Sequence, residues 1–104
     1  MTTLQVLKRA RALIRKGWTQ GAMRRFNRKG EPVAWCSYGA LCDSLPELGV
    51  SSHEALARVA GAAYASIERA MGGKNSMVAW NDHPGRTKAQ VLRAFDKAIK
   101  AQAK

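Results

Sequence analysis

The amino-acid sequence predicts a mainly α-helical fold: a single small helical domain over residues 1–104, with three main helices, one short helix and a hairpin-like arm. Three long segments carry apolar residues at helical spacing, and each of them begins with a pattern typical of a capping box. Glycine or proline lies at the positions where the first three predicted helices end. At 104 residues the chain is also above the size that usually needs disulfides or metals to support a core.

The first main helix is predicted over residues 2–16, where Thr2 and Gln5 have capping-box spacing and Gly17 is a natural stop. Its aliphatic side chains share one face, which is typical of a surface helix packed against its own core. The opposite face is basic, so the helix could instead bind an acidic groove or an anionic membrane surface. The cations of that face are Lys8, Arg9, Arg11, Arg15 and Lys16.

The hairpin-like arm is predicted over residues 22–35, with a turn at residues 27–30. Pro32 restricts its second half to an edge strand or an extended loop. Four cations surround one aromatic ring, a combination that suits a phosphate backbone with a stacked base. The alternative is an exposed basic loop whose phenylalanine is buried in the core. These candidate binding residues are Arg24, Arg25, Phe26, Arg28 and Lys29.

The middle of the chain predicts a short helix over residues 35–45, closed by Pro46, and the clearest helix over residues 51–71. The clearest helix begins with Ser51-x-x-Glu54, a capping box, and ends at two glycines. It is rich in alanine, and small residues let a neighbouring helix approach closely. We therefore expect it to be the central helix of the core.

The segment from Trp80 to Thr87 is the densest polar and aromatic cluster in the sequence. It follows an apolar run, residues 76–80, that favours a short strand or a buried extended segment. Pro84-Gly85 suits the centre of a type II turn, and Thr87-x-x-Gln90 is a capping box that starts the last main helix. The exposed face of that helix carries a basic ridge of Arg93, Lys97, Lys100 and Lys104.

Two roles are open for the Trp80–Thr87 segment. Arg86 and the free N–H groups at the start of the last helix would together bind a carboxylate or a phosphate. Alternatively the segment is a structural clasp that sets the angle of the last helix. Trp80 would then plug the core, Asn81 would cap backbone groups, and Asp82 would form an ion pair with Arg86 across the turn.

The net charge of +11 is unevenly distributed. Residues 1–30 hold nine Lys or Arg and no acid, residues 31–73 have a net charge of −3, and residues 74–104 have one of +5. This balance favours a polyanionic partner, either nucleic acid or an acidic protein surface, although a cationic surface can also serve solubility alone. We expect the cations of the arm to contact this partner. Three cations of the first helix would extend the binding patch: Lys8, Arg11 and Arg15. No apolar run approaches membrane-spanning length.

Catalysis and metal binding have weaker support in the sequence. Cys36, His83 and Asn81 supply the residue types of a thiol nucleophile, a base and an orienting group, and Asp82 is a second candidate for the last of these. No local signature surrounds the cysteine. The two cysteines and two histidines lack the close pairing typical of structural zinc, and no cofactor-binding motif is present, so we expect neither a metal nor a cofactor.

Two motifs carry a resemblance to known proteins: Trp35-Cys36-x-x-Gly39-Ala40-Leu41 and Trp80-Asn81-Asp82-x-Pro84-Gly85-Arg86-Thr87. With them the chain resembles an uncharacterised family of small proteins from bacteria and their phages, catalogued as a domain of unknown function. The resemblance extends from the first helix to Ile99. It implies a bacterial or phage setting and no particular activity.

We therefore predict a small, basic, non-enzymatic binding protein that engages nucleic acid or a nucleic-acid-containing complex. Its expected location is the bacterial cytoplasm, or the cytoplasm of the host if a phage encodes it. One alternative is a phage-type inhibitor that docks on an acidic surface of a host defence complex. The other is a cysteine-dependent enzyme.

Overall fold

A computed structural model of the chain describes residues 2–45, 53–72 and 76–103, without the side chains of residues 53–57, 59 and 60. In these residues the chain forms five helices and one two-stranded antiparallel hairpin. The prediction of a mainly helical fold with a hairpin-like arm is therefore confirmed. The elements are α1 (Thr3–Lys16), β1 (Arg24–Phe26), β2 (Pro32–Trp35), α2 (Ser37–Ser44), α3 (His53–Ala70), α4 (Met77–Asn81) and α5 (Lys88–Gln102).

The predicted capping boxes begin the first and the last helix. In α1 the Gln5 N–H donates to Thr2 Oγ1 at 3.1 Å, and the Thr2 N–H donates to Gln5 Oε1 at 2.8 Å. Thr87 and Gln90 form the same pair of bonds at the start of α5, at 3.2 and 3.0 Å. The predicted box at Ser51 and the predicted stops at residues 46 and 73 lie outside the described residues.

The core lies where α1, α3 and α5 meet. α3 packs against α1, α2, α4 and α5, as expected for a core helix, but α1 is equally central because it contacts α2, α3, α5 and β2. Among the described residues, an aliphatic face of α1 and an apolar face of α5 supply eight of the fifteen buried apolar side chains of the core. Its fully buried side chains include Val6, Leu7, Ala10, Ile14, Ala63, Ile67, Met77, Val91 and Phe95.

The predicted extended segment at residues 76–80 is wrong, because Met77–Asn81 is the short helix α4. Ser76 caps this helix through its hydroxyl, which accepts a hydrogen bond from the Ala79 N–H at 3.1 Å. Met77 and Asn81 are both fully buried, and their separation of four residues places them on one face of the helix. An apolar run of this length does not distinguish strand from helix by periodicity, which explains the error.

The hairpin packs against the end of α1 and the start of α2. Trp35 belongs to β2 and not, as predicted, to the short helix; its N–H donates to the Gly17 carbonyl at 3.0 Å. The Cys36 N–H donates to the Met23 carbonyl at 3.0 Å. A Cβ on Gly17 would overlap the carbonyl oxygen of Val33, so the glycine that ends α1 also allows the arm to lie against it.

Candidate functional site

A basic face is formed by α1 and α5, which lie side by side. Arg11, near the middle of α1, forms an ion pair with Asp96, near the middle of α5. Lys88 Nζ, at the start of α5, donates to the Arg15 carbonyl near the end of α1 at 2.7 Å. The two helices therefore run antiparallel, and their basic residues are aligned.

The residues of the α1–α5 basic face are identified by their spacing from the Arg11–Asp96 ion pair. Lys8 and Arg15 are three and four residues from Arg11 and share its face of α1. Arg93 and Lys100 have the same spacing around Asp96 in α5. Because the helices are antiparallel, Lys8 lies towards the Lys100 end and Arg15 towards the Arg93 end. We define the face by these residues: Lys8, Arg11, Arg15, Lys88, Arg93, Asp96 and Lys100.

Four cations of this face, Lys8, Arg15, Arg93 and Lys100, have exposed side chains. Their spacing follows from the helices: seven residues along each helix span about 10 Å, and packed helix axes lie about 8–10 Å apart. The one acid of the face, Asp96, is already paired with Arg11. The face therefore presents a quartet of exposed cations on two neighbouring helices, and the two cations of each helix are about 10 Å apart along its axis.

Two of the predicted arm cations are committed to bonds within the protein. Arg24 holds both oxygens of Asp43 in α2, through Nε at 2.8 Å and Nη2 at 2.7 Å, and this hydrogen-bonded pairing raises the pKa of Arg24. Arg25 donates from Nε to Thr19 Oγ1 at 2.6 Å and from Nη2 to the Gln20 carbonyl at 3.1 Å. Both arginines thus anchor the base of the arm.

The remaining candidate residues of the arm lie at its exposed end. Phe26 is 57% exposed, so the alternative in which it is buried in the core is wrong. Arg28 and Lys29 are exposed in the turn between β1 and β2. The predicted patch therefore divides into an anchored base and an exposed tip.

The Trp80–Thr87 loop is organised around Asn81, whose side chain is fully buried. Asn81 Oδ1 accepts from Trp18 Nε1 at 2.8 Å and from Ser37, through its N–H at 3.0 Å and its Oγ at 2.8 Å. Asn81 Nδ2 donates to the Thr19 carbonyl at 3.1 Å and to Asp82 Oδ1 at 2.9 Å. One side chain thus joins the segment after α1, the start of α2 and the end of α4.

The predicted ion pair between Asp82 and Arg86 is wrong. Asp82 Oδ1 accepts from the Gly21 N–H at 3.1 Å, and Arg86 Nε donates to the Trp80 carbonyl at 2.8 Å. The guanidinium of Arg86 also lies over the Trp80 ring, 3.8 Å from its centroid. The type II turn is confirmed, since Gly85 has φ +85° and the Arg86 N–H donates to the His83 carbonyl at 3.0 Å.

These contacts favour the clasp over the anion site, and they define a test. We expect Arg86→Ala to lower the free energy of unfolding by about 1–2 kcal/mol, because it removes a charged hydrogen bond and a cation–π contact at a half-buried site. Urea unfolding measures the change. The exposed Arg93→Ala should shift stability by less than about 0.5 kcal/mol. Equal stability of Arg86→Ala and wild type would restore the anion-binding interpretation.

The two cysteines lie at the N-cap of α2 and within this helix. Cys36 is buried at the N-cap of α2, where its Sγ accepts from the Gly39 N–H at 3.3 Å. Burial raises the pKa of Cys42, which makes its thiol a poorer nucleophile at neutral pH. Both are free thiols, and no hydrogen bond joins Cys36 to His83 in the described part of the chain.

Among the described residues, no group of three or more His, Cys, Asp or Glu side chains is arranged to hold a metal ion. None of the helices in the described part of the chain has both the length and the apolar character needed to cross a bilayer.

Comparison with known proteins assigns the chain to a family. Residues 1–101 match DUF6197, a family of unknown function, and the protein belongs to it. The predicted membership of an uncharacterised family is thereby confirmed. Neither the curated proteins nor the solved structures gave a match.

The predicted binding residues include none from α5, although the sequence shows a basic ridge along this helix. The ridge residues Arg93 and Lys100 have the same separation of seven residues as Lys8 and Arg15 in α1. The net charge of +5 in residues 74–104 was a further signal. The sequence does not show that α1 and α5 are neighbours. Their proximity is seen only in the tertiary contacts of Arg11 with Asp96 and of Lys88 with Arg15.

Proposed function

We propose that this protein is a non-enzymatic nucleic-acid-binding protein whose α1–α5 basic face contacts the phosphate backbone. The observation that carries the proposal is the alignment of α1 and α5, which gathers cations from both basic ends of the chain. Residues 31–73, which are net acidic, contribute none of the residues of this face. The two basic ends of the chain thus both contribute cations to one face.

The energetics of the face favour a polyanionic partner. Two unit charges about 10 Å apart in water repel each other by about 0.4 kcal/mol, and the exposed quartet contains one such pair along each of its two helices. A phosphate backbone would relieve this repulsion and release its own condensed counterions. The strength of binding should therefore depend steeply on salt concentration.

The test is the salt dependence of binding to a labelled oligonucleotide duplex, measured by fluorescence anisotropy. If the four exposed cations each contact a phosphate, log K should fall with log salt concentration with a slope of about −3.6. The double variant Lys8→Ala/Lys100→Ala removes one end of the quartet. It should reduce the magnitude of the slope by about 1.8.

A matched control separates the face from net charge. Lys16 and Arg58 are exposed cations outside the α1–α5 basic face: Lys16 is on another side of α1, and Arg58 is on α3. Lys16→Ala/Arg58→Ala removes the same charge and should leave the slope close to that of wild type. Equal slopes for the two double variants would contradict the proposal, as would weak, salt-independent binding by wild type.

We infer a bacterial or phage origin and a role in the cytoplasm of the bacterium, or of the host of a phage. The support is the resemblance carried by the Trp80–Thr87 motif, together with two cysteines that are both free thiols. Docking on an acidic surface of a host protein stays a prediction. A stoichiometric protein partner captured from nuclease-treated bacterial lysate, with no binding to oligonucleotides, would support it.

A further inference from the structure

The tip of the hairpin carries the most exposed large apolar side chain of the described residues, Phe26, which is 57% exposed. Val33, on the neighbouring strand, is 44% exposed. The hairpin register places Phe26 opposite Pro32, at the end of the sheet next to the turn. A single exposed apolar residue is ordinary on a protein surface. The exposure of Phe26 therefore indicates a binding site only if the residues around the ring also favour one.

The turn that follows Phe26 is held in one conformation by Asn27. Asn27 Oδ1 accepts from the Lys29 N–H at 2.9 Å and from the Glu31 N–H at 3.0 Å. Gly30 has φ +80°, and its N–H donates to the Asn27 carbonyl at 3.0 Å. These bonds already order the turn in the free protein. Binding through the tip would therefore not incur the entropy loss of ordering this loop.

The base of the arm is fixed as well, since Arg24 and Arg25 are bonded to residues outside the hairpin. The exposed cations of the tip are Arg28 and Lys29, two and three residues after the ring. Glu31 is the acid of the tip, and its carboxylate accepts from Asn27 Nδ2 at 3.1 Å. The tip therefore presents one aromatic ring with two adjacent cations on a rigid support.

We propose that Phe26 stacks on an unpaired base while Arg28 and Lys29 contact the neighbouring phosphates, so that the protein prefers single-stranded nucleic acid to duplex. This inference rests on the proposed function and deepens it. In a duplex the bases offer only their edges in the grooves, whereas a single strand exposes the faces on which an aromatic ring stacks. An aromatic ring between cations is the combination used by proteins that bind single strands.

The experiment compares a labelled single strand with the duplex of the same sequence at one salt concentration. Wild type should bind the single strand more tightly. Phe26→Ala should weaken binding to the single strand by about 5- to 160-fold and leave binding to the duplex unchanged. Phe26→Trp should retain the affinity, and Val33→Ala, an apolar truncation on the neighbouring strand, should match wild type. Thermal melting checks that every variant is folded.

Three outcomes would overturn the inference: Phe26→Ala binding the single strand as tightly as wild type, equal weakening for single strand and duplex, or full affinity in Phe26→Leu. The leucine variant keeps an apolar side chain but loses the stacking ring, so its full affinity would show that the single strand does not bind by stacking on the ring of Phe26. In each case a steep salt dependence of wild-type binding would leave the proposed function intact. Wild-type binding that does not depend on salt would contradict both.

Discussion

Replacing Asn81 with alanine will lower the free energy of unfolding by about 3–5 kcal/mol. The side chain is fully buried and bonded to Trp18, Thr19 and Ser37. Without it, the buried Ser37 N–H and the Trp18 indole N–H lose their acceptor, and the Thr19 carbonyl loses a donor. Each buried group left unsatisfied costs about 1–3 kcal/mol.

The measurement is unfolding by urea and by heat. For a domain of this size the change corresponds to a decrease in Tm of roughly 12 °C or more. Asn27→Ala is the matched control, because it removes the same atoms from an exposed turn and should cost only about 1 kcal/mol. If Asn81→Ala is no less stable than Asn27→Ala, Asn81 does not join the three segments, and the clasp interpretation is wrong.

Gly39→Ala should also be destabilising, by about 1–3 kcal/mol or more. Gly39 lies in the first turn of α2, where an added Cβ would overlap the Met23 carbonyl oxygen. That oxygen also accepts from the Cys36 N–H, so the arm cannot move away without breaking this bond. The overlap involves backbone on both sides and cannot be relieved by a change of rotamer.

Gly61→Ala is the control for this prediction. Gly61 is exposed in α3, and a Cβ there would meet no atom within 4 Å. The same chemical change should therefore raise stability, by about 0.5–1 kcal/mol, because alanine loses less conformational entropy than glycine in a helix. Opposite signs for the two variants in urea unfolding would confirm the close approach at Gly39, and equal signs would contradict it.

Much of the fold could be predicted from local signals in the sequence. The capping boxes at Thr2 and Thr87 and the turn at Pro84-Gly85 depend on residues at most four positions apart, and the structure contains all three. The error at Met77–Asn81 arose where an apolar run fits a helix and a strand equally well. There the Ser76 cap and the burial of Asn81 decided in favour of the helix.

The candidate site was harder to predict, because its residues acquire their roles from distant partners. Arg24 and Arg25 have the same side chain as Arg28, yet they anchor the arm while Arg28 is exposed. The difference comes from Asp43 and Thr19, which the fold brings to the base of the hairpin. Likewise, Asp82 and Arg86 are close in sequence, but Gly21 and the Trp80 ring are the partners they meet in space.

The sequence by itself determined the helical class, the limits of the first helix, the start of the last helix, and the basic ends of the chain. These properties follow from side-chain periodicity, capping and composition, which act over a few residues. Only the tertiary structure decided that α1 and α5 lie side by side and that Asn81 joins three segments. The physical reason is that cross-helix ion pairs and buried hydrogen bonds link residues whose separation along the chain carries no local signal.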